Sequence, residues 1–124
     1  MTGYVVFAHG SRVESANEAV RAAAAGLARQ GGFGYVEAAF LELGTPDLAG
    51  AVGRLAAAGL ERVVIIPYFL TLGLHMERDL PSLIDKISKQ YSGLEIAVTS
   101  ALDGHPGLVQ ALVDRARESG PDQA

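Results

Sequence analysis

Apolar residues recur at i, i+3, i+4 and i+7 in four windows: Ala16-Ala19-Val20-Ala23, Leu48-Ala51-Val52-Leu55, Leu80-Leu83-Ile84-Ile87 and Val109-Leu112-Val113-Ala116. That spacing lays one apolar stripe along a helix, and each stripe needs a surface to cover. Short apolar runs at Tyr4–Ala8, Tyr35–Phe40, Arg62–Pro67 and Glu95–Thr99 suit strands buried on both faces. The predicted order is therefore βαβαβαβα. Strict alternation implies right-handed crossovers and an α/β fold of three layers, a four-stranded, mainly parallel sheet with helices on both faces.

Local punctuation sets the expected boundaries. Ser11-Arg12-Val13-Glu14 and Ser15-Ala16-Asn17-Glu18 both have capping-box spacing ahead of the first stripe, and only one can be the start. Thr45-Pro46 and His105-Pro106 read as caps followed by proline at the first helical position, and Asp79 as the cap of the third helix. Gly31-Gly32, Gly59 and Gly93 stand where helices should stop. With no linker or repeat, the chain is expected to be one domain over 1–118 with a flexible tail at 119–124.

Composition narrows the chemistry. The 124 residues contain no cysteine, which excludes disulfides, zinc–thiolate sites and iron–sulfur clusters and fits a reducing compartment. At this length a domain buries roughly two-thirds of its unfolded surface, so a core needs no metal staple. A formal charge of −4 without any basic block argues against nucleic acid as a partner. The longest apolar stretch, Val63–Leu74, is interrupted by Pro67 and falls short of the roughly twenty residues of a membrane span. The N-terminus runs straight into Tyr4-Val5-Val6-Phe7 without a basic leader, so a cytoplasmic location is expected, with no membrane association.

Ligands of open parallel sheets bind beyond the carboxyl ends of the strands. There the sequence places His9-Gly10-Ser11-Arg12 after the first strand, Glu42 after the second, and Gly73, His75 and Arg78 after the third. With strand order 2-1-3 and neighbours about 4.8 Å apart, His9 is central and Glu42 and His75 flank it. Two imidazoles and a carboxylate suit cobalt, iron, nickel or zinc, but the same groups serve equally as bases near neutral pH. Spacing does not choose between these roles. Either histidine could instead be a satisfied turn residue. Glu42, in an apolar stretch, calls for a partner, for which Arg12 and Arg54 are candidates. His105 reads as an end-of-helix residue outside the site. Neither GxGxxG nor a P-loop string is present, so nucleotide sites lack sequence support.

The motifs taken in order resemble the small CbiX/SirB class of sirohydrochlorin chelatases, within the class II tetrapyrrole chelatases. The resemblance is carried by His9-Gly10-Ser11-Arg12 with Asn17, by Ala39-Phe40-Leu41-Glu42 with Pro46, and by Pro67-Tyr68-Phe69-Leu70, Gly73, His75 and Asp79-Leu80-Pro81. Gly104-His105-Pro106 before the last helix also fits. It covers nearly the whole chain and implies a chelatase-like fold. The implied reaction inserts a divalent metal, cobalt first and iron or nickel as alternatives, into a sirohydrochlorin-type tetrapyrrole, in cobalamin or siroheme biosynthesis. His9 and His75 would be the metal-binding and proton-handling pair and Glu42 an assisting carboxylate. Gly10, Ser11, Arg12, Gly73 and Arg78 would line the tetrapyrrole site, the arginines facing its carboxylates. The metal is then substrate, with no tightly bound cofactor. Long chelatases of this fold use two similar halves to enclose the macrocycle, so this shorter chain is expected to be a homodimer, with Pro67–Leu74 supplying part of the contact.

Other functions use the same residues. A metal or tetrapyrrole carrier needs binding without turnover. A histidine-phosphatase-like site would want arginine directly before the histidine, where Ala8 stands. A purely structural subunit would tolerate loss of His9.

Overall fold

A computed structural model describes residues 1–120. Strands β1 (Thr2–Ala8), β2 (Val36–Phe40), β3 (Arg62–Pro67) and β4 (Glu95–Val98) alternate with helices α1 (Glu14–Gly31), α2 (Leu48–Ala57), α3 (Leu74–Gln90) and α4 (Pro106–Glu118). The sheet order is β2-β1-β3-β4 and every pairing is parallel, as the alternation requires. Ala8 stands opposite Phe40, and Phe7 opposite Pro67, so three strands stop almost level. The chain leaves all three at one edge.

Alternation along the strands divides the core between the two faces. Val5 and Phe7 of β1 with Val63 and Ile65 of β3 pack under α2 and α3, against Leu48, Val52, Leu55, Leu80 and Ile87. Val6 and Ala8, with Phe40, pack under α1, against Val20 and Ala24. The stripes expected on α2 and α3 are those found. Leu48, Ala51, Val52 and Leu55 are buried, and Leu80 and Ile87 are buried with Leu83 and Ile84 half-buried beside them.

Two stripes differ from expectation. On α1, Ala16 and Ala19 are exposed, and the inward face runs through Asn17, Val20 and Ala24. An alanine-rich helix offers several apolar stripes of nearly equal quality, so small side chains leave its rotation undetermined. On α4 no residue is fully buried, and Val109 and Leu112 stand in solvent.

The helix starts also need correction. The N-cap of α1 is Val13, without a side-chain cap, so neither serine box is formed; Ser11 Oγ instead accepts from the Val13 N–H at 3.0 Å. Thr45–Pro46 is a cis peptide lying before the cap of α2, which is Asp47, accepting from the Gly50 N–H at 2.8 Å. Helix α3 begins at Leu74, five residues before the expected Asp79 cap, and carries Pro81 inside it. The cap expected at His105 is present: its Nδ1 accepts from the Gly107 N–H at 2.8 Å, followed by Pro106. Gly32 ends α1 in the left-handed conformation. Of the tail expected at 119–124, Ser119 caps α4 and residues 121–124 lie outside the described residues.

The Asp47 cap satisfies one of the amide donors that a helix start leaves without a partner. Asp47→Ala is expected to lower stability by about 1 kcal/mol, measured as a shift in the urea midpoint at unchanged slope.

Candidate metal and tetrapyrrole site

The ladder between β1 and β2 continues past their ends. Leu41 N–H donates to Ala8 O at 2.9 Å and Glu42 N–H to His9 O at 3.1 Å. Strand pairing therefore sets His9 and Glu42 side by side on adjacent loops. Their side chains follow: His9 Nδ1 lies 4.0 Å from Glu42 Oε1, with both more than half exposed. The exposure of Glu42 corrects the sequence-based picture of a carboxylate in an apolar surround that needs an arginine. Arg54 pairs with Glu37 at 3.2 Å, and the ionisable side chain beside Glu42 is His9.

The third connection braces the imidazole. Tyr68 N–H donates to Phe7 O at 2.7 Å, which carries the chain past the edge of β1. The Phe69 ring then meets the His9 ring nearly edge-on, 6.5 Å between centroids, and the Phe7 ring at 6.0 Å. Core, Phe69 and His9 are thus in series. The loop is held from the other side by amides of Leu102 and Asp103, which donate to Phe69 O and Leu70 O.

His75 lies in the first turn of α3, not in a loop, because that helix begins early. Its Nδ1 is 3.3 Å from Arg78 Nη2, and Arg78 Nε reaches Asp79 Oδ1 at 3.4 Å. A guanidinium only donates, so this contact is a hydrogen bond where Nδ1 is the accepting nitrogen of the ring. Among the described residues no three His, Asp or Glu side chains are grouped closely enough to hold an ion. The structure therefore brings His9 to Glu42 and His75 to Arg78, as two pairs on one edge.

The remaining expected residues have varied surroundings. Gly10 has φ +96°, and a Cβ there would lie 1.6 Å from Glu42 O, so glycine is demanded by the crossing of the two loops. Gly73 caps α3 with ordinary extended geometry, and a Cβ would meet nothing within 4 Å. Ser11 is used in the turn before α1, and Arg12 is exposed beside it. Around these polar groups Leu41, Leu43, Tyr68, Leu70 and Leu74 stand exposed, giving the edge an apolar rim.

Sequence reasoning gave no role to Arg21, which braces the loop carrying Glu42 from below. It donates to Thr45 O at 3.2 Å, stacks 5.2 Å over the Phe40 ring and pairs with Glu14 and Glu18. Its hydrogen bond holds the Glu14 carboxyl below the usual carboxylate range. Asn17 and Phe69 likewise had no assigned role. The signals available for Asn17 were its place in the motif that carries the resemblance and a polar residue in step with Val20 and Ala24.

The sequence matches the CbiX family over residues 3–119. The chain belongs to the CbiX family. Among the relatives of this CbiX chain, a sirohydrochlorin cobaltochelatase from Methanopyrus kandleri is 34% identical over 139 aligned positions, spanning 96% of this chain and 97% of that one. A chloroplastic sirohydrochlorin ferrochelatase from Arabidopsis thaliana is 32% identical over 91% of this chain, and the match spans only 50% of that longer relative. Both are named as chelatases, which are enzymes. Among solved structures, a CbiX protein from Marinobacter aquaeolei VT8 superposes with a TM-score of 0.84 at 25% identity, covering 96% of this chain and 97% of that one. The expected chelatase-like architecture is thus the one found.

Proposed function

We propose that this protein is a sirohydrochlorin chelatase that inserts a divalent metal, cobalt first, into the macrocycle and releases two protons. The observation that carries the reading is the His9–Glu42 pair at the level ends of β1 and β2, on a chain whose relatives are named for this reaction. Insertion needs ligands that hold a metal and then surrender it, and a base for the pyrrole protons. Exposed imidazole without thiolate suits both, and it accepts cobalt, iron or nickel alike.

In this reading His9 meets the metal and takes a proton, and Glu42 either shares the metal or stabilises the imidazolium that results. His75 is the second proton acceptor. Its Nδ1 becomes available when Arg78 turns to a carboxylate of the tetrapyrrole, so substrate binding and base release are coupled. Gly10, Ser11, Arg12 and Gly73 line the approach, and the apolar rim seats the macrocycle. The metal is cargo and no resident cofactor is required.

We assign the reaction to cobalamin or siroheme synthesis in the cytoplasm. Among the described residues no helix is long and apolar enough to cross a membrane. Two copies would pair to close the macrocycle from both sides. Leu70 at 66% and Leu74 at 86% exposure, within the stretch after β3, favour such a contact.

Anaerobic mixing of the protein with sirohydrochlorin and Co²⁺, Fe²⁺ or Ni²⁺, followed by absorption spectroscopy, tests the reading. Catalytic spectral conversion is expected, fastest with cobalt. Saturable binding with no rate above the spontaneous reaction for any ion would make the protein a carrier.

A further inference from the structure

Asn17 is the one fully buried polar side chain among the described residues, at 1% exposure. Its amide oxygen and both amide hydrogens are engaged. Oδ1 accepts from Ser11 N–H at 3.0 Å, while Nδ2 donates to Ser11 O at 2.9 Å and to Leu43 O at 2.9 Å. Two carbonyls on one side and an amide N–H on the other fix which atom is oxygen. Ser11 follows His9 by two residues and Leu43 follows Glu42 by one. A single side chain in the first turns of α1 therefore ties together the two loops that carry the pair.

The loops need such a tie. Leu43 has φ +58°, the only left-handed non-glycine among the described residues, and such a conformation persists only where its surroundings over-determine it. The bond from Asn17 to Leu43 O is one such constraint. A second is the contact of Gly10 with Glu42 O, where no Cβ would fit. Gly44 completes the arrangement, since a Cβ there would press within 3.2 Å of Asn17 Nδ2. By contrast the His9 and Glu42 side chains are exposed and face each other at 4.0 Å without a direct hydrogen bond. Their spacing is set by the backbone beneath them.

We propose that Asn17 is the positioning residue of this site: buried and out of reach of substrate, it sets the His9–Glu42 geometry by clamping the Ser11 and Leu43 backbones. The consequence for chemistry rests on the chelatase reading; the consequence for geometry does not. Losing the clamp would loosen Glu42 and His9 relative to each other while leaving His75, on α3, where it is.

The test is Asn17→Ala in the full chain, with Asn17→Ser, whose hydroxyl can keep one bond through water, if the alanine protein does not fold. The sequence has three histidines, so their ring signals are separable by NMR. In the metal-free variant the His9 ring signals are expected to shift and broaden, while those of His75 and His105 stay in place. Insertion by folded variant should show kcat down about 100-fold, the cost of a misplacement near 1 Å. KM for the tetrapyrrole should change by no more than about twofold, since an interaction realised in the chemical step is lost. A folded variant with unmoved His9 signals and wild-type kcat would overturn the proposal. If wild-type protein inserts no metal, the chelatase reading fails, and the His9 signals still decide whether the clamp exists.

Discussion

His9→Ala is expected to lower the rate of metal insertion by about 10²–10⁴-fold, the range for losing a positioned proton acceptor. A change of fold will not account for it. The imidazole projects beyond β1, more than half exposed, with the Phe69 ring edge-on beside it. Truncating it opens no cavity, so the stability change should stay within about 0.5 kcal/mol. Initial rates of spectral conversion, compared at matched melting temperature, separate the two effects. A His9→Ala protein that turns over like wild type would remove this residue from the chemistry and shift the burden to His75. Combining Glu42→Gln with His9→Ala refines the result: a double variant that loses no more than His9→Ala alone would mean the pair acts as a unit, since effects within a unit do not add.

Gly10→Ala is expected to cost about 3–5 kcal/mol of folding stability, a large value for adding one methyl group. Two causes combine. The backbone has φ +96°, which L-residues rarely adopt, and the new Cβ would overlap the carbonyl of Glu42 at 1.6 Å. The obstacle is backbone held by the β1–β2 ladder, not the free end of a flexible side chain, so relief requires the loops to part. Chemical denaturation gives the number directly. A cost below about 1 kcal/mol would show that the two loops separate freely and that their crossing does not fix the site.

The parallel sheet was legible in the sequence because strand periodicity and alternation with helices leave few arrangements, and the order 2-1-3 taken for the first three strands, with His9 central, is the one found. Helix α2 was legible for a related reason: Leu48, Val52 and Leu55 are large and lie on one stripe only. The rotation of α1 was not, since Ala16, Ala19 and Ala23 score as apolar yet are too small to require burial. The start of α3 was hidden by Pro81 and Asp79, which look like a helix beginning; the helix tolerates the proline well inside and has Gly73, with no capping side chain, at its true start. That shift moved His75 from a loop to the first turn of a helix. The nearness of Glu42 to His9 was expected from the strand order; that Glu42 is exposed and has no arginine partner depends on the ladder running past the strand ends, which no composition or spacing displays.

The absence of any fully buried residue on α4 bears on how the protein opens. Native-state opening occurs in cooperative units whose free energies follow their buried contacts. On helix α4 only Leu108 and Val113 are half-buried and none of its residues belongs to an apolar cluster, while the sheet with α1, α2 and α3 shares the two clusters. The amides of α4 are therefore expected to form a low-energy unit that exchanges hydrogen with solvent well before global unfolding, which native-state hydrogen exchange would read directly. Any surface that came to cover Val109 and Leu112 would merge that unit with the rest of the chain, converting a fraying end into part of the cooperative whole.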